Sequence, residues 1–200
     1  MNSETKKAAR SNQEDETLIR DFLAENINAF DRLVLKYQDL VFNLCFRIVG
    51  DYDDASDCAQ ETFIKVHANL KNFAFRSSFT TWLYRIAINT CRTMLSSSGN
   101  RMRKKMVRID RPGDAESGPV EINDCSSDPG DLFEKNEQSR VIHRAIDSLP
   151  DELKVLVVLR DLEGNSYEEI SEITGVNLGT VKSRLARARH LLRESLREVL

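Results

Sequence analysis

The feature that most constrains the fold is a helical spacing of apolar residues that runs along the chain and is interrupted once. Apolar side chains recur every three or four residues up to Leu95 and again from Leu132, and no segment alternates with the two-residue period of a strand. Between them, Ser96 to Gly130 holds three of the four prolines and turn-forming runs such as "RPGDAESGP". So long a stretch is unusual inside one compact domain. The sequence therefore predicts an all-α protein of two small helical domains joined by a flexible acidic linker.

The same spacing gives the expected boundaries of the domains and helices. We expect a disordered N-terminus over 1–15, a first domain over 16–97, a linker over 98–131 and a second domain over 132–200. The first helix is expected from Glu16 to Glu25 and the third from about Asp53 to Leu70, with Ser78 as the N-cap of a fourth. Apolar stripes are expected on the last three helices of this domain, at Phe30, Leu33, Val34, Tyr37, Leu40, Val41, Leu44, Cys45 and Ile48, at Ala55, Ala59, Thr62, Phe63, Val66 and Leu70, and at Phe79, Leu83, Ile86, Ala87, Thr90 and Met94.

Several classes of protein are disfavoured by composition. No apolar run approaches the ~18 residues of a membrane span, and the polar start does not resemble a secretory signal. Cys45, Cys58, Cys91 and Cys125 are scattered, without a C-x-x-C pair or a nearby histidine. We therefore expect a cytoplasmic protein with reduced thiols, no metal and no cofactor. We also expect no enzyme activity, because no nucleophile–base pair or Gly-rich phosphate loop is present.

The net charge of −3 conceals a strong segregation of charge. Residues 110–137 carry a strong excess of acidic side chains, whereas 101–108 and 182–197 are strongly basic. Binding to phosphate depends on local basic density rather than on the total, so nucleic acid stays a candidate partner.

The C-terminal stretch "NSYEEISEITGVNLGTVKSRLARAR" predicts a helix-turn-helix. Ser166 and Glu169 fit a capping box, Gly175 fits the turn, and apolar residues on both helices fit a small shared core. The second helix then presents outward a set of polar and basic side chains, Thr180, Lys182, Ser183, Arg184, Arg187 and Arg189. The alternative is a basic helix that is merely solvated. Two-component response regulators end in similar modules, so the motif alone does not fix the class of regulator.

Two polar faces in the first domain are candidate binding surfaces. Asp54, Asp57 and Glu61 lie opposite the apolar stripe of their helix, as a docking surface for a basic partner or as a solvated acidic face. On the next helix, Trp82, Arg85, Asn89 and Arg92 follow one another at gaps of three, four and three. This second stripe suits stacking and hydrogen bonding to unpaired bases. Alternatively, Trp82 packs at the edge of the domain and Arg85 pairs with an acid of the preceding helix.

Three segments in order, "DASDCAQETFIKVHANLKNF", "SFTTWLYRIAIN" and "SYEEISEITGVNLGTVKSRLARAR", closely resemble extracytoplasmic-function (ECF) sigma factors of bacterial RNA polymerase, in particular the sigma-E-like branch. The resemblance covers about 29–95 and 139–192 and implies sigma regions 2 and 4. The implied partners are the β′ clamp helices and β flap of core polymerase, promoter DNA that is duplex at −35 and single-stranded at −10, and an anti-sigma factor that is often membrane-anchored. No small-molecule substrate is implied.

The resemblance also assigns roles to individual residues. Asp57, Gln60 and Glu61, with Asp54 beside them, match the surface that binds core polymerase. The −10 reader is matched by the loop and helix residues Phe75, Arg76, Ser77, Ser78, Trp82, Arg85, Asn89 and Arg92. Lys182, Ser183, Arg184 and Arg187 match the −35 reader, which Thr180 and Arg189 extend.

The loop before Ser78 departs from the family pattern. The family commonly has Phe-Arg-Gly where this chain has Phe73-Ala74-Phe75, followed by Arg76. The loss of the glycine and the displaced arginine predict an altered pocket for the flipped −10 base.

The rival hypothesis is a conventional regulator in which the helix-turn-helix alone binds palindromic duplex and nothing binds core polymerase.

Overall fold

The computed structural model describes residues 3–97 and 141–197, with side chains from residue 12 onward. The expected linker and Cys125 lie outside the described residues. The chain divides into two compact units, Met1–Ser97 and Ser98–Leu200. Within the described residues every regular element is helical, so the predicted all-α fold is confirmed.

The first unit contains four α-helices. They are α1 (Ser3–Leu23), α2 (Ile27–Val49), α3 (Tyr52–Asn69) and α4 (Phe79–Ser96), with a short 3₁₀ turn at Leu70–Asn72. Gly50 ends α2 with a left-handed φ of 81°. Asp51 and Ser78 cap α3 and α4, because their side chains accept the amides of Asp54 and Thr81 at 3.1 Å. The predicted cap at Ser78 is confirmed.

The first helix begins at Ser3, much earlier than the expected Glu16. Its N-terminal half lacks glycine and proline and is rich in good helix formers, so nothing in it opposes an α-helix. A tertiary anchor follows at Asp15, which is 1% exposed. Its carboxylate accepts the hydroxyl of Tyr37 at 2.6 Å and the ammonium of Lys36 at 2.7 Å. The polar pattern of this segment did not indicate that Asp15 is buried and joins α1 to α2.

The core lies mainly on the predicted stripes, and it is wider than predicted on α4. The buried residues of α2 are Ala29, Leu33, Tyr37, Val41, Leu44, Cys45, Ile48 and Val49, and those of α3 are Ala55, Cys58, Ala59, Thr62 and Val66. On α4, Ile86 and Met94 are only half-buried, whereas Tyr84, Ile88 and Cys91 are buried. The rest of the expected stripe of α4 is buried, so the prediction was wrong at Ile86 and Met94 and too narrow elsewhere, because this helix buries a wider face than one stripe.

The described part of the second unit is also helical. Residues 141–147 form the end of a helix, α5, and are followed by α6 (Asp151–Val157), a five-residue π-helical turn (Val158–Leu162), α7 (Tyr167–Thr174) and α8 (Leu178–Arg197). Pro150 precedes α6, and α6 is buried along most of its length. The buried ammonium of Lys154 binds Asp147 of α5 at 2.5 Å. The π-helical turn was not predicted.

Candidate nucleic-acid and partner interface

The helix-turn-helix is built around a capped first helix and a glycine in the turn. The Ser166 hydroxyl accepts the Glu169 amide at 3.1 Å, and the Glu169 carboxylate accepts the Ser166 amide at 2.7 Å. This confirms the predicted capping box. Gly175 ends α7 with a φ of 69°, a left-handed conformation that favours glycine. The turn thus sets the direction in which α8 leaves α7.

The start of α8 is fixed by Asn177, a cap that the sequence analysis missed. Its side-chain oxygen accepts the Thr180 amide at 2.8 Å. Val181 and Leu185 of α8 are fully buried, and so are Ile170 and Ile173 of α7, in line with the predicted apolar core on both helices. The opposite side of the helix exposes Lys182, Ser183 and Arg187. The exposed side of the N-terminal half of α8 is therefore basic, and the buried apolar side chains Val181 and Leu185 lie on its other side.

Two arginines of the predicted surface bind acids within their own unit. Arg189 binds Asp161 through two contacts, at 2.6 and 3.3 Å, and Arg184 binds Glu152 at 3.0 Å. By accepting hydrogen bonds from the charged guanidinium, Asp161 raises the pKa of Arg189 above its ordinary value. The π-helical turn carries Asp161, so a local irregularity positions this pair. We therefore narrow the candidate DNA-reading set to Thr180, Lys182, Ser183 and Arg187.

The acidic residues of α3 form the second candidate surface. Asp57, Gln60 and Glu61 are exposed, whereas Asp54 is half-buried beside the helix cap. Glu61 also binds Lys65 at 3.3 Å, and both side chains keep substantial solvent exposure. The surface offers two carboxylates and an amide on adjacent turns of one helix.

Ile64 extends this surface and was missed by the sequence analysis. Its side chain is 63% exposed, and it follows Asp57 by seven residues and Gln60 by four. The helical spacing was a usable signal, because an isoleucine on the polar face of an amphipathic helix has no place in the core. We name Asp57, Gln60, Glu61 and Ile64 the α3 docking face.

Trp82 packs within the first unit. Its ring centroid lies 5.2 Å from that of Phe73 and 5.9 Å from that of Phe79, and its side chain is half-buried. Trp82 was expected either to stack on unpaired bases or to pack at the edge of the domain, and the structure shows that it packs at the edge. The partly exposed remainder of the indole lies next to the loop 73–78.

The loop before α4 is held in an uncommon backbone conformation. Phe75 has a φ of 55°, in the left-handed region that favours glycine, and it lies in the loop that lacks the family glycine. Its ring lies 4.9 Å from that of Phe73, and the Arg20 guanidinium lies 5.5 Å from its centroid. The loop thus has a left-handed residue without a glycine, and that residue adds an aromatic surface. Arg76 beside it is exposed, and Ser77 and Ser78 are half-buried.

The polar stripe of α4 faces outward as far as its middle. Arg85 and Asn89 are exposed, and Arg92 is half-buried. In the described part of the first unit, Arg85 forms no ion pair with an acid of α3, which removes one alternative for this residue. Arg85 and Asn89 are therefore exposed on α4, and Phe75 and Arg76 are exposed in the loop that precedes it.

Across 3–97 and 141–197, no cluster of His, Cys, Asp and Glu has the arrangement that would hold a metal ion. No helix in these ranges is both long and apolar enough to cross a bilayer.

Comparison with known proteins places both units in one family. The model for sigma-70 region 2 matches residues 33–101, and the model for sigma-70 region 4 matches residues 139–192. The chain is 38% identical to the RNA polymerase sigma-H factor of Pseudomonas aeruginosa over 190 residues, covering 94% of this chain and 96% of that protein. It is 35% identical to the ECF RNA polymerase sigma-E factor of Haemophilus influenzae over 188 residues, covering 93% and 97%.

Two solved structures have the same fold. CnrH, in complex with the cytosolic domain of CnrY, matches with a TM-score of 0.64 and 22% identity over 92% of this chain and 98% of that chain. The sigma factor RpoE of Bartonella quintana, in complex with the anti-sigma factor NepR, matches with a TM-score of 0.61 and 24% identity over 86% and 98%. With both sigma regions matched in order and relatives of this similarity over nearly the whole length, the chain belongs to the ECF class of the sigma-70 family of RNA polymerase sigma factors.

Proposed function

We propose that this protein is a promoter-specificity subunit of bacterial RNA polymerase for a stress or envelope-type regulon. It binds core polymerase, recognises the −35 and −10 elements and assists DNA melting, and it has no catalytic activity of its own. The observation that carries the proposal is the presence of both sigma regions in one chain, each with an exposed polar face where the family binds its partners.

The α3 docking face is the proposed site for the β′ clamp helices. Its carboxylates suit a basic partner, and exposed Ile64 adds apolar area that becomes buried on binding. Asp54 is proposed to support this face through its place beside the cap at Asp51, because it is itself half-buried.

The two DNA elements are assigned to different units. Thr180, Lys182, Ser183 and Arg187 are proposed to enter the major groove at −35, with phosphates and guanine edges as targets. Phe75, Arg76, Arg85 and Asn89 are proposed to bind unpaired −10 bases, with Ser77, Ser78 and Arg92 at the margin. Trp82 is proposed to support this surface, because it packs on Phe73 and Phe79.

Run-off transcription with core polymerase and a promoter library tests the proposal. Selected promoters should share a −35 and a −10 element, and Arg187→Ala should weaken discrimination at one −35 position by about 1–3 kcal/mol. Asn89→Ala should instead impair opening or −10 choice, and a heteroduplex already melted at −10 should restore the opening step. Tight, selective binding of promoter duplex by the chain without polymerase would favour the rival regulator.

We also propose an anti-sigma partner. One solved relative of the same fold is in complex with the anti-sigma factor NepR and another with the cytosolic domain of CnrY, which supports control by a protein partner. We place the sigma factor in the cytoplasm, held at the inner membrane face when its partner is membrane-anchored. Affinity purification of the native protein from membrane and soluble fractions tests this, and recovery of the chain alone from both fractions would contradict it.

A further inference from the structure

The C-terminal half of α1 lies beside the start of α4, although nothing in the sequence assigned a binding role to α1. The Asp15 carboxylate accepts the Tyr37 hydroxyl at 2.6 Å, and that hydroxyl lies 3.4 Å from the Thr80 hydroxyl in the first turn of α4. Five residues further along α1, the Arg20 guanidinium lies over the ring of Phe75, 5.5 Å from its centroid. α1 therefore reaches the loop that carries part of the proposed −10 site.

The ring of Phe75 is supported by buried aromatic side chains. Its centroid lies 4.9 Å from that of Phe73, which is buried and packs in turn against Phe79 and Trp82. Phe75 itself stays 37% exposed. An exposed ring that rests on a buried one suits the stacking of an unpaired base, and such stacking tolerates any base because every base has a π-face.

Arg20 has hydrogen-bond donors to spare beside this ring. Among the side chains that the structure describes, its guanidinium donates to Glu16 of the same helix, at 3.4 Å, and the two side chains are 70% and 50% exposed. A guanidinium carries five N–H donors in one plane, and contact with an aromatic face uses none of them. The ring of Phe75 therefore keeps a positive charge at this place while most of its donors stay directed to solvent.

We propose that Arg20 binds a phosphate of the unpaired −10 strand, next to the nucleotide whose base stacks on Phe75. This inference rests on the proposed function. A base that stacks on this ring brings its own phosphate within reach of the guanidinium, and the planar fork of arginine matches a phosphate bidentately. A phosphate is the target rather than a base edge, because a side chain that is 70% exposed can follow the DNA backbone, whereas base readout requires a fixed geometry.

The salt dependence of holoenzyme binding tests the proposal. The probe is a fluorescent promoter heteroduplex already melted at −10, taken from the promoters selected by run-off transcription. Each phosphate contact with a single strand contributes about 0.7 to the slope of log affinity against log salt concentration. Arg20→Ala should therefore lower the magnitude of this slope by about 0.7 and weaken binding several-fold at low salt. An unchanged slope and affinity would overturn the proposal.

Arg32→Ala is the matched control, because Arg32 is an exposed arginine of α2 and its removal changes the net charge equally. This control should keep the wild-type slope, and an equal decrease in both variants would reduce the effect of Arg20 to a non-specific one and refute the proposal. Trp82 fluorescence verifies that each variant is folded.

Base changes in the probe separate a phosphate contact from base readout. Arg20→Ala should weaken binding by the same factor for every base at each −10 position, because a phosphate contact carries no sequence information. A loss confined to one base would contradict the assignment to a phosphate.

Two further variants test the surroundings of Arg20. Glu16→Gln removes the charge that competes with the phosphate, so it should bind the heteroduplex more tightly, and weaker binding would contradict the proposal. Phe75→Leu removes the ring, so adding Arg20→Ala to it should cost less affinity than Arg20→Ala alone. Fully additive losses would show that the ring does not position the guanidinium.

The wild-type holoenzyme distinguishes failure of this inference from failure of the proposed function. Promoter-selective binding by the wild type, without an effect of Arg20→Ala, would overturn the inference alone. A wild-type holoenzyme that selected no promoter would contradict the proposed function, and the inference would fail with it.

Discussion

At the scale of single residues, Phe75 combines an unfavourable backbone conformation with a site of proposed base recognition. A non-glycine residue at a φ of 55° is strained, and strain of this kind is found where function requires a particular loop shape. Contacts of the phenylalanine ring with Phe73 and Arg20 partly offset this strain.

A matched pair of substitutions isolates the backbone contribution of Phe75. Phe75→Asn and Phe75→Val both remove the ring, but asparagine tolerates a left-handed φ whereas a β-branched side chain does not. We expect the valine variant to be less stable than the asparagine variant by about 1–2 kcal/mol. Urea unfolding of the full chain, followed by Trp82 fluorescence, measures the first unit, since Trp82 contacts Phe73. Equal midpoints would show that the loop has no need of this φ.

Arg187 and Arg189 form a second pair in which stability and DNA binding separate. Arg189→Ala should lower the stability of the second unit by about 0.5–1 kcal/mol, and less at high salt, because the ion pair with Asp161 is 43% and 36% exposed. Arg187→Ala should leave stability nearly unchanged and weaken −35 recognition in the holoenzyme. Circular dichroism and promoter binding measure the two effects. An Arg189→Ala variant with full stability and lost −35 binding would return Arg189 to the DNA-reading set.

At the scale of elements, the two glycines that flank the start of α8 have opposite requirements. Gly175 has a left-handed φ, whereas Gly179 lies within the helix, where an added Cβ meets only Asn177 Oδ1 at 3.6 Å. Gly175→Ala should therefore destabilise the second unit by about 1 kcal/mol, and Gly179→Ala should stabilise it by about 0.5–1 kcal/mol. Thermal unfolding measured by circular dichroism checks both signs. The same sign for both variants would contradict this reading of the turn.

Local elements were largely predictable from sequence, whereas their irregularities and long-range contacts were not. The capping box at Ser166, the cap at Ser78 and the turn at Gly175 each depend on residues within a few positions, so the spacing alone predicts them. The predicted start of α1 was wrong. The partner of Asp15 lies on another helix, so the local sequence did not indicate that this segment is anchored. The π-helical turn depends on a hydrogen-bond register that apolar spacing does not encode.

The residues of the candidate sites show the same difference between local features, which the sequence predicts, and long-range contacts, which it does not. The exposed positions of Lys182, Arg187 and Asn89 follow from helical periodicity, and the resemblance to sigma factors supplied their expected roles. The ion pair of Arg189 with Asp161 depends on how helices dock, so the sequence offered no local signal for it. Whether the proposed residues contact polymerase and DNA stays a prediction.

At the scale of the whole molecule, the proposed function divides affinity between two units that act on one DNA. Each unit contributes a weak contact, and joining them through a linker raises the effective concentration of the second after the first has bound. Substitutions in one unit should therefore affect one step of initiation and leave the other step intact.

Charge reversal on the α3 docking face tests this division. Asp57→Lys should weaken binding to core polymerase by at least about tenfold, or about 1.4 kcal/mol, because a like charge meets a basic partner. Asp39→Lys, the same change at an exposed position of α2, is the control for net charge. Arg187→Ala should keep wild-type polymerase affinity and lose promoter choice. Anisotropy of the labelled full chain gives the affinities, and equal losses for both aspartates would argue for a non-specific charge effect.

The π-helical turn at Val158–Leu162 has a consequence for how chain length varies among relatives. Its hydrogen bond from the Glu163 amide to the Val158 carbonyl spans one residue more than an α-helical bond. Deleting one residue there restores the α-helical register, but turns each following position by about 100° around the helix axis. The buried stripe of α6 before the turn keeps its place, whereas Asp161 moves away from Arg189. Relatives that are one residue shorter at this point are therefore expected to lack an acid opposite this arginine, so the length of the turn and the presence of that acid should vary together in evolution.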